Sequence, residues 1–149
     1  MKTVFTPNAT SKLIVEDTVK LVKKKVDALD LGCGEGYIGL NIYKKQKKNI
    51  KSFSFSDLSK KATKRCKRNL TKEKLKAIVK NGSMFGPWKN KKFDLIVESV
   101  SAISEPVANR SPWYNKNIPC HAGIDGTKLV NEILLKAKNY LKKDGKIIF

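Results

Sequence analysis

Residues 30–40 read DLGCGEGYIGL, and this stretch decides the fold. It overlaps the end of an apolar run at 26–31, VDALDL, which predicts a buried strand, and from Tyr37 onward the pattern is helical. Glycine adopts positive φ and lets a ligand approach the backbone where a Cβ would collide. A tight turn needs one or two glycines. This stretch has four: Gly32, Gly34, Gly36 and Gly39. It therefore predicts a strand, a ligand-binding turn and a helix.

The alternation of strand and helix patterns continues along the chain. It predicts helices at 11–25, 37–47, 60–69 and 125–141, and further strands at 52–57, 76–82, 93–98 and 146–149. Thr10 or Ser11 is the expected cap of the first helix, and Ser59 that of the third. Strands that alternate with helices indicate an α/β fold with a parallel sheet covered on both faces. Residues 99–123 hold three prolines and no clear period, which predicts a long loop.

Length and composition predict one domain over residues 1–149. Hydrophobic residues make up 40% of the chain and charged residues 30%, as in globular proteins. No apolar run approaches the ~20 residues of a membrane span, and the N-terminus lacks the apolar core of a signal peptide. We therefore expect a cytoplasmic protein without a membrane segment.

The cysteines and the single histidine do not indicate a metal site. Cys33, Cys66 and Cys120 form an odd set without CxxC spacing, so free thiols are expected rather than a disulfide framework or a zinc site. His121 adjoins Cys120 but has no second cluster to complete a metal shell. The prediction is that the chain binds no metal.

The formal net charge of +19 has two interpretations. A basic field attracts phosphates and raises encounter rates with nucleic acid. Only three of the 32 basic residues are arginine, however, and an excess of lysine is also typical of a solvated surface. Nucleic acid therefore remains one candidate partner.

The spacing of the glycines resembles one family in particular. A GxGxxG dinucleotide motif that begins at Gly32 would place its third glycine at Tyr37, whereas the spacing here is DxGxGxG. That spacing resembles the first motif of the class I S-adenosylmethionine-dependent methyltransferases. The resemblance implies S-adenosylmethionine as cofactor, with Asp30 and the loop 32–36 around its amino-acid part. It also implies a Rossmann-like sheet, and we expect the strand order 3-2-1-4-5.

Two further positions support the same cofactor. Asp57 ends the second predicted strand, where a carboxylate can accept hydrogen bonds from both ribose hydroxyls; a helix cap is the less favoured alternative. Ser83 stands where the family commonly carries an acid that bonds the adenine amino group, and Met84 and Phe85 either flank the adenine or belong to the core. The candidate cofactor-binding residues are Asp30, Gly32, Cys33, Gly34, Gly36, Asp57, Leu58, Ser83, Met84, Glu98 and Ser99.

Within that family, the chain looks most like the HemK/PrmC-like small-domain methyltransferases. The resemblance rests on VFTP at 4–7, FDLIV at 93–97 and the segment 121–149. After the fourth strand such enzymes carry Asn-Pro-Pro-Tyr, but this chain has Ser-Val-Ser-Ala at 99–102. The substitution removes the side-chain amide and the aromatic ring that would hold a planar nitrogen acceptor.

Three interpretations follow. The chain methylates a different acceptor in a macromolecule or metabolite, it acts on a nucleic acid held by lysines, or it is a catalytically weak domain that binds nucleic acid or a partner protein. Methyl transfer requires little protein chemistry beyond alignment and a place for the proton of the acceptor. Glu98, Glu105 and His121 could serve as bases, but each has an equally simple structural explanation, and the catalytic residue stays unknown.

Two regions suggest contacts with partners. Trp113 and Tyr114 lie near Arg110 and Lys116, where they either stack on a flat ligand or pin the long loop to the body. The family resemblance implies two more strands after the fifth, so we expect strands 6 and 7 to be missing and the domain to be C-terminally incomplete. An unpaired edge at 147–149 would then favour a partner protein or self-association.

Overall fold

The computed structural model of the chain describes residues 7–110 and 121–149. Its helices are α1 (Ala9–Leu21), α2 (Tyr37–Gln46), α3 (Lys60–Lys72), α4 (Glu105–Arg110) and α5 (Lys128–Tyr140). Its strands are β1 (Val26–Leu31), β2 (Ile50–Asp57), β3 (Ile78–Asn81), β4 (Phe93–Glu98) and β5 (Leu141–Ile148). Short 3-10 turns at Lys47–Asn49 and Gly86–Trp88 precede β2 and β4.

The five strands form one sheet in the order β3-β2-β1-β4-β5, and every neighbouring pair is parallel. The predicted α/β class and the predicted order 3-2-1-4-5 are both confirmed. Leu31, near the end of β1, lies opposite Ser56 of β2 and Glu98 of β4. The carboxyl ends of the three central strands therefore meet at one edge of the sheet, which we call the carboxyl edge.

Apolar side chains cover both faces of this sheet. One core cluster joins the sheet to α1, α2 and α3, and it contains Ile14, Ile42, Phe53, Phe55 and Cys66. The other joins it to α5 and the turn before β4, and it contains Leu29, Phe85, Trp88, Phe93 and Ile133. Helices therefore pack on both faces, as the sequence pattern predicts.

The first helix begins earlier than predicted. Asn8 is its cap, not Thr10 or Ser11, because the Asn8 side chain accepts a hydrogen bond from the Ser11 backbone N–H at 3.1 Å. The Ser11 side chain in turn accepts from the Asn8 N–H, which completes a capping box. The helix ends at Leu21, since Val22 is extended. The basic run 23–25 therefore belongs to the connection before β1.

The predicted loop at 99–123 contains a helix. The six residues of α4 form a short helix whose first N–H, that of Glu105, donates to the Gly123 carbonyl at 2.8 Å. A single bridge also pairs Ile103 with His121. Proline at the second position of a helix is compatible with helical geometry, so Pro106 does not prevent it. The predictions for Trp113, Tyr114, Lys116 and Cys120 lie outside the described residues.

The last strand starts before the turn that the sequence predicts at 142–145. The pairing shifts between Phe93 and Leu95, which lie opposite Leu141 and Lys146, so four residues of β5 bulge out of the ladder. Asp144 in this bulge has φ +62°. Beyond it, Ile147 and Ile148 pair with β4 as expected. The chain does turn at 142–145, as predicted. The turn is a bulge within β5, however, and not a connection between α5 and the strand.

Within the described ranges, α1, α3 and α5 are 13 residues long. None of the helices there combines the length and the apolar character that a membrane crossing requires.

Candidate functional site

Three carboxylates lie at the ends of the three central strands. Asp30 is the fifth residue of β1, Asp57 the last of β2 and Glu98 the last of β4. Burial raises the pKa of each of them above its ordinary value. Hydrogen bonds from backbone N–H groups oppose the increase without cancelling it. The carboxyl edge thus concentrates acids that are poorly solvated.

Asp30 is the most buried of the three, with 0% of its surface exposed. Its Oδ2 accepts a hydrogen bond from the Gly39 N–H at 2.9 Å, whereas its Oδ1 is buried and has no hydrogen-bond partner among the described residues. Burial and the nearby Asp57 carboxylate raise the pKa of Asp30 to about 7, against the effect of the Gly39 bond. Asp30 therefore carries an unused acceptor beneath the glycine loop, and its charge changes near neutral pH.

Gly39 serves packing rather than ligand access. A Cβ at this position would lie 2.4 Å from Cε1 of Phe55 and 2.9 Å from Oδ2 of Asp30. The grouping of Gly39 with the ligand-facing glycines was wrong, because this residue lets α2 approach the sheet. Counted from Gly34, the sequence does contain GxGxxG, and its third glycine has the packing role that this motif assigns to it.

The turn between β1 and α2 is held against the sheet by its own backbone. The N–H groups of Gly32 and Cys33 both donate to the Ser56 carbonyl at 2.9 Å. A Cβ on Gly32 would lie 2.9 Å from Cγ1 of Val100, and one on Gly36 would lie 2.9 Å from Sγ of Cys66. Both glycines therefore allow close packing.

Gly34 differs from its neighbours. Its φ is +54°, and a Cβ added there would meet nothing within 4 Å. The position therefore faces open space, and a strained backbone is retained where no packing contact requires it. Of the glycines in the loop, Gly34 is the one suited to the approach of a ligand.

Asp57 holds this loop from the neighbouring strand. Its Oδ2 accepts from the Gly34 N–H at 2.9 Å, and its Oδ1 accepts from the Ser59 N–H at 2.8 Å. The cap of α3 is Ser59, as predicted, because its side chain accepts from the Ala62 N–H at 3.2 Å. Each oxygen of Asp57 retains a lone pair for another donor. The adjacent Leu58 is exposed beside it.

Helix α3 braces the glycine loop through contacts that sequence reasoning missed. Arg65 Nη1 lies 2.5 Å from Glu35 Oε1, and the Asn69 side-chain amide donates to the Glu35 carbonyl at 2.9 Å. Cys66 lies beneath Gly36 and is fully buried. These partners are about 30 residues from the loop in sequence. A local motif therefore carries no signal that would reveal them.

The segment after β3 places the predicted adenine residues in different environments. Ser83 is exposed, and Met84, with φ +46°, is half-buried against the second core cluster. Phe85 is a core residue that stacks on Tyr140 with ring centroids 4.2 Å apart, which settles the alternative left open for it. The Gly82 N–H donates to the Asp57 carbonyl at 3.0 Å, so this segment adjoins Asp57.

The segment after β4 closes the other side of the loop. Glu98 is 4% exposed, and its Oε2 accepts from the Val100 N–H at 3.0 Å. The Ser99 N–H donates to the Leu31 carbonyl at 3.3 Å, which extends the pairing of β4 with β1. Of the three candidate bases, Glu98 alone is buried at this edge, whereas Glu105 and His121 are exposed.

The chain is similar to known methyltransferases in sequence and in fold. A family model described as "Methyltransferase small domain" matches residues 6–99, which include the glycine loop, Asp57 and β4. A ribosomal RNA small subunit methyltransferase C from Haemophilus ducreyi is 30% identical over 141 residues, which is 94% of this chain and 36% of that protein. A bifunctional methyltransferase from Rickettsia typhi is 31% identical over 147 residues, 95% of this chain and 28% of that protein. The chain thus spans about a third of the length of these curated relatives.

Solved structures share the fold. A ribosomal protein L11 methylase from Lactobacillus delbrueckii subsp. bulgaricus superposes with a TM-score of 0.68 at 16% identity, over 94% of this chain and 59% of that one. A methyltransferase from Pyrococcus furiosus gives a TM-score of 0.67 at 16% identity, over 97% and 63%. At 16% identity, these two similarities show a shared fold and nothing further about function.

Proposed function

The chain belongs to the methyltransferase small-domain family, and we propose that its carboxyl edge binds S-adenosylmethionine for methyl transfer to RNA. The observation that carries the proposal is the open space at Gly34, whose N–H donates to Asp57, while Asp30 lies buried at the end of β1 at the same edge of the sheet. The family match covers all three of these residues.

The residues at this edge fit the proposed cofactor. Within the described part of the chain, Asp30 Oδ1 is a buried acceptor without a partner, and such an atom is costly unless a donor or a positive charge satisfies it. S-adenosylmethionine has an ammonium group and a sulfonium, both cationic. A ligand with this charge near the loop would stabilise the ionised form of Asp30. The glycine loop also leaves room along its backbone at Gly34.

When bound, S-adenosylmethionine supplies the reactive methyl group. The task of the chain is then to hold and align the reactants. Asp57 would accept hydrogen bonds from the ribose hydroxyls with the lone pairs that Gly34 and Ser59 leave free. The Ser83 hydroxyl would accept a weaker bond from the adenine amino group than a carboxylate would. Cys33, Leu58, Met84 and Ser99 would line the same site.

Glu98 is the candidate for holding the proton that the acceptor loses. It is buried beside Val100, and its pKa is raised by burial, so it takes up a proton more readily than an exposed carboxylate. Its bond from the Val100 N–H fixes the side chain at the end of β4.

Two observations support RNA as the acceptor. The relative from Haemophilus ducreyi is named as a ribosomal RNA methyltransferase. The chain also carries 32 basic and 13 acidic residues, which favours a polyanionic substrate.

The test has two parts. Titration calorimetry should show S-adenosylmethionine binding to the full chain, and Gly34→Leu should weaken that binding roughly 100-fold. Incubation with tritiated cofactor and total RNA should then label the RNA. If the wild type does not bind the cofactor at millimolar concentration, the proposal is wrong.

A second candidate function is RNA binding with little turnover. The observation in its favour is the segment at 99–102, which replaces Asn-Pro-Pro-Tyr and has Val100 packed over Gly32. Tight cofactor binding without labelling of RNA or protein in a cell extract would favour this candidate.

A further inference from the structure

One face of α3 is covered with cations. Lys60, Lys64 and Lys67 recur at intervals of four and three, which places them on one side of the helix. Lys61, Arg68 and Lys72 adjoin this row, and all six side chains are exposed. The buried residues of the helix lie on the opposite side: Ala62, Thr63, Cys66 and Leu70. We call the six cations the α3 basic face.

Nothing in the described part of the chain neutralises this face. The helix contains no acid, and the acid-to-base ion pairs of the described residues involve none of the six. The other helices of comparable length differ: α1 pairs Lys20 with Asp17, and α5 pairs Lys136 with Glu132. The concentration of charge on α3 is therefore local, beyond the general excess of lysine.

The positions of these cations work against the helix that carries them. Lys60 and Lys61 occupy the first turn, where the positive end of the helix dipole disfavours cations. Lys60 with Lys64, and Lys64 with Arg68, are like-charge pairs four residues apart. A bound polyanion would relieve both effects.

The location of α3 connects this face to the proposed site. The helix begins three residues after Asp57, at the carboxyl edge, and extends about 20 Å. Its Arg65 and Asn69 hold the glycine loop through Glu35. A strand lying along the face would reach the edge where the cofactor is proposed to bind.

We propose that the α3 basic face is the docking surface for the phosphate backbone of the RNA acceptor. This inference rests on the proposed function, and it adds where the RNA lies. Lysines at these spacings contact phosphates as point charges without reading bases, so the surface gives affinity and direction rather than sequence preference.

The test compares two triple variants of equal charge change in the full chain. K60Q/K64Q/K67Q removes one row of the face. K23Q/K24Q/K25Q removes three exposed lysines before β1, at the opposite edge of the sheet. Binding of a fluorescein-labelled 16-nucleotide single-stranded RNA is measured by anisotropy between 50 and 200 mM salt, and S-adenosylmethionine binding by calorimetry.

The α3 variant should bind RNA roughly 10- to 100-fold more weakly at 50 mM salt, with a salt slope smaller by about 2. It should bind the cofactor as the wild type does and should melt at a higher temperature at low salt, because repulsion has been removed. The control variant should change RNA affinity several-fold less.

Equal losses in the two variants would overturn the docking surface while leaving the proposed function intact. Polyglutamate that binds the wild type more tightly than the RNA does at equal charge, and that loses its affinity in the α3 variant, would also overturn it, in favour of an acidic protein partner. Normal cofactor binding by a wild type that does not bind the RNA probe would refute both this surface and RNA as the acceptor, but not the cofactor site.

Discussion

The pKa values of the acids are shifted in opposite directions at the two ends of the same strands. At the amino end of the sheet, Lys142 Nζ lies 2.5 Å from Asp27 Oδ2 and 2.8 Å from Asp94 Oδ2. Burial acts to raise the pKa of both carboxyls, but hydrogen bonds and the Lys142 charge outweigh it, and both values are lowered. At the carboxyl end, Asp30 and Glu98 receive only backbone N–H bonds within the described chain, and both pKa values are raised.

This difference separates acids that stabilise the fold from acids that are available to a ligand. In the amino-end cluster, the side chains of Ser52 and Lys142 donate to the two carboxylate oxygens of Asp27, and Lys142 also supplies the opposite charge. The carboxyl-end acids can accept further hydrogen bonds. Their burial disfavours the ionised form and therefore lowers the stability of the fold. An arrangement that is costly without a ligand indicates a binding site.

The largest expected effect concerns Asp30. The increase of the Asp30 pKa from 3.8 to about 7 changes the free energy of unfolding by at most roughly 4 kcal/mol between low and high pH. Because the folded chain holds a proton that the unfolded chain releases, stability should fall as pH rises from about 4 to 7 and then level off. Asp30→Asn removes this ionisation. It should therefore be more stable than the wild type at pH 8 and have a flatter profile between pH 4 and 7.

Urea unfolding across that pH range measures the effect. Glu35→Gln serves as control, because it also removes a carboxylate near the loop but one that is partly exposed to solvent. Parallel profiles for wild type and Asp30→Asn would contradict the prediction.

The next effect concerns the open position in the loop. Gly34→Leu should weaken S-adenosylmethionine binding by roughly 100-fold, equivalent to ~2.7 kcal/mol, because its side chain occupies the space at the backbone. The positive φ should cost about 1 kcal/mol of stability. Gly34→Ala should carry the same strain with a smaller loss of affinity. If the two variants bind the cofactor equally well, the space at Gly34 is not the cofactor site.

A matched pair tests the two ends directly. Asp57→Asn should weaken cofactor binding by roughly 10-fold, because an amide oxygen accepts hydrogen bonds from ribose hydroxyls less strongly than a carboxylate. Asp27→Asn makes the same change at the other end of the sheet and should leave cofactor affinity unchanged. Calorimetry measures the cofactor affinity of both variants. If both variants bind the cofactor with the same affinity, the carboxyl end is no more involved in cofactor binding than the amino end.

The smallest effect is expected at the amino end. Lys142→Met should destabilise the chain by about 1 kcal/mol at pH 7, a modest value because the lysine is partly exposed to solvent. The lowered pKa values of Asp27 and Asp94 contribute stability above pH ~4 that is lost as pH falls through the lowered values. The stability difference between variant and wild type should therefore shrink below pH 4, as thermal melts would show. A stability difference between Lys142→Met and wild type that stays constant with pH would contradict this prediction.

Local patterns in the sequence predicted the fold class and the location of the candidate site, whereas the strand order came with the family resemblance. Strand and helix periods are properties of neighbouring residues, and the glycines at 32–36 can be read as a turn without knowledge of the rest. The position of Asp57 at a strand end followed in the same way. The cap at Asn8 was missed because Thr10 and Ser11 are also suitable capping residues, and α4 was missed because its first N–H bonds to the distant Gly123 carbonyl.

Only the tertiary structure decided what each of these residues does. Burial raises the pKa of Asp30, and burial is a property of the assembled sheet. Gly39 turned out to be a packing residue because Phe55, sixteen positions away, lies against it. The contacts of Glu35 with Arg65 and Asn69 join residues about 30 positions apart along the chain. Periodicity reports which elements form, whereas distances between elements, and hence charge pairing and solvation, arise only when the elements pack.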